Sequence, residues 1–378
     1  MNRLWPYVLG SVALGLDAYV IAGLLPTIAA DLGSSPGAIG LGVAAFTGAY
    51  AVAGPVLAGA AGRQASRSLL LALSLFVVAN VASAFAASAG VFIATRLIAG
   101  AAAGIYSPLS SAVAASSVPT ERKGRALSLV LAGLACGTVF GVPFGLLIAE
   151  RASWRWTFAL IAAVGLLAAV GVALRGKGRI ENVPAPSLAA RLATLGQIPN
   201  VLTMLVTLLT GIASLGLYTY FVPLLDGLGH GSQRVWLIWV WGAGGAIGTL
   251  FVGRIVDAVP RPTLVTAAIT ALLALTFALL GWSPSLVMTA ISVFFWGLLG
   301  WSSLAPQQHT LMTANPQDGT TAVAANASAN YLGSALGSTA GALLIDHHFA
   351  GAELAYSAAA LAILACCVQL LRIRTTRS

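Results

Sequence analysis

Asp17 stands in the run LGLDAYVIAGLLP, residues 14–26, where every other residue suits a lipid bilayer. A carboxylate in such a run has one distinctive chemistry: it can take up a proton and release it. The apolar segment starts near residue 5. Asp17 therefore lies about 18 Å along a helix rising 1.5 Å per residue, close to the middle of a hydrocarbon layer of about 30 Å. Ionised there, it costs several kcal/mol unless it is paired, wet or protonated, and desolvation favours the protonated form. Two readings follow. Asp17 is a proton carrier, charged while its surroundings are wet and neutral when they close, or it is a structural acid tied to a neighbouring helix. No other carboxylate falls deep in an apolar run; Asp31, Glu150, Asp226 and Asp346 lie near the ends of theirs.

Arg96 is the second charge inside an apolar stretch. A guanidinium stays ionised at physiological pH, so it needs a partner, a wet cavity or the interface. It either sets the charge state of a nearby acid or snorkels to the membrane surface.

Neutral polar residues fall into line elsewhere. Thr203, Thr207, Thr210, Ser214 and Tyr218 share one helical face, and Asn326 and Asn330 share another. Such stripes are candidate cavity lining, as are Tyr106 and Trp296. The competing reading is that Thr and Ser bond their own helix backbone; Asn needs more partners. Trp301 and Tyr220 offer flat surfaces for an apolar substrate, or serve as packing anchors.

Other chemistries lack their residues. There is no G-x-x-x-x-G-K-[ST] run and Lys occurs only at 123 and 177, which excludes a P-loop ATPase. His347 and His348 are adjacent, not at metal-ligand spacing, and Cys136, Cys366 and Cys367 read as small buried hydrophobes. No nucleophile–base pairing stands out. The expectation is a chain that is not an enzyme, holds no metal or cofactor, and draws on a proton gradient.

The elements that position these residues follow from composition. Of 378 residues, 58% are hydrophobic and 8% charged, against about 25% charged in a soluble domain. A net charge of +9 is compatible with nucleic-acid binding, but the charges cluster in short loops between apolar stretches. A helix needs roughly 20 apolar residues to span a bilayer, which predicts spans near 5–29, 37–60, 68–88, 91–115, 126–149, 154–174, 200–224, 234–256, 262–282, 285–306, 320–344 and 352–371. The first reads as a retained helix rather than a signal peptide.

Most of the 19 Lys and Arg fall on one side of this pattern: Arg3, Arg63, Arg67, Arg122, Lys123, Arg125, Arg175, Lys177, Arg179, Arg191, Arg254, Arg261, Arg372, Arg374 and Arg377. The positive-inside rule then places both termini in the cytoplasm, in keeping with an even number of spans.

The longest polar interruption, residues 175–199, divides the chain into a bundle at 1–174 and another at 200–378. Gly133, Gly137 and Gly141 are matched two hundred residues later by Gly333, Gly337 and Gly341, and AGAAGRQASR (58–67) by GRIVDAVPR (253–261). Six-span repeats in parallel orientation are a known transporter plan, with the substrate near the bilayer midplane. Gly133, Gly137, Gly141 and Gly145 line one face of a helix and admit a close neighbour, and Pro143 removes a backbone hydrogen bond within it.

The chain resembles the major facilitator superfamily, in particular its twelve-span drug:proton antiporters and sugar-efflux relatives. The resemblance rests on GLDAYVIAGLLPTIAADL (15–32), RLIAGAAAG (96–104), GLACGTVFGVPFG (133–145), WRWTF (154–158) and NASANYLGSALGSTAG (326–341). It implies an all-α membrane protein of two pseudo-symmetric six-helix bundles. It also implies gating by the cytoplasmic segments that hold Arg63, Arg67, Gly253, Asp257 and Arg261. At the family's loop acid this chain has Gly62, while the second copy keeps Asp257.

The reading is a secondary efflux transporter of a bacterial inner membrane. It would work as a monomer in lipid, by alternating access, exchanging protons for small neutral or amphipathic molecules. The alternatives are a proton-independent facilitator and a narrow-specificity sugar or metabolite exporter.

Overall fold

The computed structural model describes residues 4–119, 122–174, 196–283, 285–316 and 318–375. Those residues form twelve long helices. In the first unit they are α1 (Trp5–Asp31), α2 (Pro36–Arg63), α3 (Ala65–Ala84), α4 (Ala89–Ser116), α5 (Lys123–Arg151) and α6 (Trp154–Leu174). In the second they are α7 (Ile198–Thr219), α8 (Arg234–Ala258), α9 (Pro262–Trp282), α10 (Leu286–Ala314), α11 (Gly319–Asp346) and α12 (Ala352–Thr375). The units are Met1–Ala185 and Pro186–Ser378. The linker expected at 175–199 falls mostly on residues 175–195, outside the described residues.

Eleven of these helices are long and apolar enough to cross a membrane. The twelfth, α11, has 28 residues and so has the length. Its hydropathy is diluted by Thr320, Thr321, Asn326, Ser328, Asn330, Ser334, Ser338 and Thr339. Of these, Thr321, Asn326, Ser334 and Ser338 are buried on a helix packed against α7.

The two units repeat one packing plan. In the first, α1 packs on α5 and α6, α2 on α4, and α3 on α4 and α6; in the second, α7 packs on α11 and α12, α8 on α10, and α9 on α10 and α12. Every major pairing recurs six helices later. The glycines carry the repeat to single atoms. A methyl at Gly133 would meet Val8 O and one at Gly333 would meet Leu208 O; Gly137 faces Val12 O, and Gly337 faces Ile212 O. Helix backbones this close exclude any side chain between them, which is how helices associate in lipid. Gly54 against Gly104 O and Gly248 against Leu298 O repeat the pattern between α2 and α4 and between α8 and α10.

Several boundaries differ from the sequence reading. Helix α2 runs through to Arg63, leaving only Gln64 before α3, and α8 runs to Ala258. Thus Gly253 and Asp257 lie in a helix, not a loop. Helix α10 continues past Ser303 through the polar run to Ala314, because helix needs no lipid to persist. A π-turn at Ile212–Gly216 interrupts α7, and a short helix Phe221–Gly227 follows Tyr220. The cysteines are another correction: Cys136 and Cys367 are exposed and Cys366 half-buried. An apolar span has a lipid-facing side as well as an inner one, and hydropathy does not tell them apart.

Candidate functional site

Helices α1, α3 and α4 each bring one polar side chain to a common point inside the first unit. Arg96 Nη1 donates to Asp17 Oδ1 at 2.5 Å, and Arg96 Nη2 donates to Asn80 Oδ1 at 3.1 Å. Asn80 Nδ2 closes the ring by donating to Asp17 Oδ2 at 3.2 Å, and also reaches Phe76 O at 3.0 Å. None of the three sees solvent: Asp17 is 1% exposed, Arg96 and Asn80 are 0%. The rings of Phe158, Phe46 and Phe92 surround the guanidinium, their centroids 4.9, 5.7 and 5.9 Å from its carbon. Cation–π contacts add to the ion pair in such a dry setting. Arg96 Nε remains buried without a hydrogen-bond partner.

Arg96 therefore does not snorkel. It reaches inward, because the alternative to a partner in hydrocarbon is an uncompensated charge. A proton on Asp17 removes the ring's only anionic member and leaves Arg96 sealed among an amide and three aromatic rings. Removing one partner of a buried pair costs about 3–5 kcal/mol, and the loss of the carboxylate charge leaves Arg96 in that position. Sequence reasoning missed Asn80. Its signal was available, since SLFVVANVASAFAA has a single carboxamide among apolar residues, and an amide in lipid needs partners.

The second unit holds a buried polar group of its own, on α7, α10 and α11, and it is neutral. Thr207 Oγ1 lies 2.6 Å from Asn326 Oδ1 and 3.1 Å from Thr203 O, and Gln307 Oε1 also contacts it. All three side chains are buried, and Asn326 Nδ2 has no hydrogen-bond partner. Thr203 Oγ1 accepts from Arg372 Nε at 2.6 Å. Arg372, which reads as part of the basic tail, is buried within α12. Asn200 and Asn315 pair through reciprocal amide bonds of 3.0 and 3.1 Å. Gln307, Asn200 and Asn315 were not singled out from sequence, because α10 was ended too early and single amides near helix ends look solvated.

Thr210 bonds Val206 O in its own helix. Ser214 Oγ accepts from Trp296 Nε1 at 2.9 Å, and Tyr218 stacks on Trp241 with centroids 4.0 Å apart. Trp301 meets Trp241 edge-on, and Phe221 and Phe277 pack on Trp296. The result is a closed aromatic cluster across α7, α8, α9 and α10. Tyr220 OH, just past the end of α7, donates to Ser338 O of α11 at 2.6 Å. Tyr106 is fully buried and donates to Tyr7 O at 2.9 Å, joining α4 to α1. Asn330 is half-buried, with its backbone oxygen against Gly211.

Gly133, Gly137 and Gly141 press on α1 at Val8, Val12 and Leu16, and Gly145 on Val20; Pro143 lies within α5 between the last two. Arg63 and Arg67 are exposed where α2 meets α3, and Arg67 bonds Gln64 at 3.2 Å. Asp257 and Arg261 are exposed near the end of α8. Among the described residues no group of three or more His, Cys, Asp and Glu is placed to hold a metal ion.

The family model described as Major Facilitator Superfamily matches residues 7–338. The chain belongs to that superfamily. A chloramphenicol resistance protein of Streptomyces lividans is 34% identical over 285 residues, covering 74% of this chain and 70% of its own length. The inner membrane transport protein YdhP of Escherichia coli K12 is 28% identical over 345 residues, or 89% and 87% of the two chains. Among solved structures, a D-xylose–proton symporter superposes with a TM-score of 0.75 at 19% identity, covering 97% of this chain and 96% of its own. A partially occluded inward-open conformation of the xylose transporter XylE from E. coli gives 0.74 at 17% identity, with 97% of each chain covered. At these identities the xylose transporters establish the fold. This is a multi-pass major facilitator protein of twelve helices.

Proposed function

We propose that this chain is an efflux transporter of a bacterial inner membrane, exchanging protons for small neutral or amphipathic molecules by alternating access. In this reading both termini face the cytoplasm, the monomer suffices, no cofactor is needed, and the proton gradient supplies the energy. The observation that carries it is the sealed ring of Asp17, Asn80 and Arg96. Asp17 is the coupling acid. Its ionised form holds α1, α3 and α4 together through Arg96, and its protonation releases that hold. Coupling requires that each ligand prefer a different conformation; a proton that cancels a buried ion pair has that preference built in.

The similarity to a chloramphenicol resistance protein over 74% of the chain supports export of a drug-like molecule. Such a molecule carries aromatic and hydroxyl or amide groups. The Trp296–Tyr218–Trp241 cluster and the Thr207–Asn326–Gln307 group are chemically suited to these, if they open during transport. The fold likeness to xylose–proton symporters bears on architecture, not on cargo.

The test is transport in proteoliposomes with and without an imposed pH gradient, using chloramphenicol as the first probe. Wild-type flux should rise with the gradient, and Asp17→Asn should lose that rise while staying folded. Gradient-independent flux in the wild type would instead favour a facilitator. Failure of chloramphenicol alongside flux of a sugar would favour a narrow metabolite exporter.

A further inference from the structure

Asp31 and Arg155 sit where their own helices do not want them. Asp31 is the last residue of α1 and Arg155 the second of α6, so an anion stands at a negative dipole end and a cation at a positive one. What holds them is each other and what lies around them. Arg155 Nη1 is 3.1 Å from Asp31 Oδ2, the same oxygen that accepts from Trp154 Nε1 at 3.0 Å. Arg155 Nη2 donates to Ala86 O at 3.1 Å, just beyond α3, and its guanidinium lies 4.5 Å from the Trp154 ring centroid. One carboxylate and one guanidinium thus fasten the ends of α1, α3 and α6.

Beneath this half-exposed pair the chain goes dry at once. Trp154, Phe92 and Phe158 meet edge-to-face in a closed trio, with centroids 5.9, 5.6 and 5.8 Å apart. All three are buried, at 2% exposure or less. Phe92 and Phe158 are two of the rings over Arg96. The order inward is therefore ion pair, Trp154, phenyl rings, Arg96, Asp17.

We infer that Asp31, Trp154 and Arg155 are positioning residues for the coupling site: a clamp that holds the aromatic trio shut and keeps water from reaching the Asp17–Arg96 pair through this end of the unit. An isolated exposed ion pair contributes little. This one also sets a Trp indole that is part of the seal, which gives it a task beyond its own energy. A leak here would let protons exchange with Asp17 without turnover, so the clamp protects coupling. Its importance rests on Asp17 being the coupling acid; the seal itself is measurable without that premise.

Thr95 is a suitable reporter. It lies one residue before Arg96, is buried, and its hydroxyl is 2.7 Å from Ser83 Oγ. In full-length protein with Cys136, Cys366 and Cys367 replaced by Ala, Thr95→Cys should react slowly with a membrane-impermeant charged methanethiosulfonate. Adding Arg155→Ala, or Trp154→Phe, which keeps a ring but loses the bond to Asp31, should raise the labelling rate at least tenfold. Arg155→Lys, which keeps a cation able to donate to Asp31 and Ala86 O, should stay close to the starting rate. Equal labelling rates in all backgrounds, or Arg155→Lys labelling as fast as Arg155→Ala, would overturn the inference. Proteoliposomes of Arg155→Ala without substrate should also acidify faster under a pH gradient. If labelling accelerates but acidification does not, the clamp stands as a water seal and the coupling role of Asp17 is what fails.

Discussion

Arg96 Nη1 stands 2.5 Å from Asp17 Oδ1, with both side chains shut off from solvent and Asn80 bonded to each. A charge pair in this position is a poor source of net stability, because desolvating two ions offsets most of their attraction. Its consequence is conditional: each charge is tolerable only while the other is present.

Asp17→Asn should therefore destabilise the protein as well as uncouple it. The amide keeps the shape and cancels the anion, leaving Arg96 buried without a counter-charge, at a cost of about 3–5 kcal/mol. Thermal unfolding in detergent should show a clear fall in midpoint, with export loss of at least tenfold under a pH gradient. An unchanged midpoint would mean the pair opens to water in solution.

Removing both charges should undo the stability defect and not the functional one. Asp17→Asn with Arg96→Gln replaces the pair by neutral hydrogen-bonding groups, and close neighbours of this kind are strongly non-additive. The double variant should melt above Asp17→Asn alone while remaining uncoupled. Melting as low as the sum of the two single losses would show that the residues do not act as a pair.

Much of this arrangement was legible in the residues. Asp17 and Arg96 announced themselves because ionised groups in apolar runs are expensive, and the glycine rows at 133–141 and 333–341 announced a repeat that the backbone contacts reproduce. What was not legible was partnership. Nothing in one dimension says that Arg96 turns toward α1 rather than outward, or that Asn80 supplies the third side of the ring. Arg372 was misplaced for the same reason. In the basic run RIRTTR (372–377) it reads as solvated, yet Thr203 and Pro199 O lie within its reach across a helix packing that sequence does not reveal. The π-turn in α7 was also hidden, since no residue type in IASLG demands it.

Asn80→Leu should separate the amide's role from the ion pair's. It preserves bulk and removes one hydrogen bond to each charge, worth about 1.5–3 kcal/mol for a bond to an ionised group. Export should persist at reduced rate, with its pH profile displaced from the wild type, because the balance of charge states at Asp17 depends on its donors. A wild-type profile at lower amplitude would assign Asn80 to packing alone.

The glycine rows should divide sharply from glycines elsewhere. Gly137→Ala and Gly337→Ala each place a methyl onto a backbone oxygen of the facing helix, Val12 O and Ile212 O, where neither helix can yield without separating. Gly253→Ala meets nothing within 4 Å on an exposed stretch of α8. There, helix propensity alone should raise stability, by up to about 1 kcal/mol. Backbone cannot rotate aside as a side chain can, so each of the first two should cost about 1–3 kcal/mol and depress export. The comparison between Gly137 and Gly337 is the more telling one, because α1 carries Asp17 and α7 carries no charge at the matching place. If helix spacing positions the coupling acid, Gly137→Ala should lose gradient-driven export out of proportion to its stability loss, whereas Gly337→Ala should lose the two together. Equal behaviour of the two variants would mean that the repeat matters for packing only and that α1 holds Asp17 in place without help from α5.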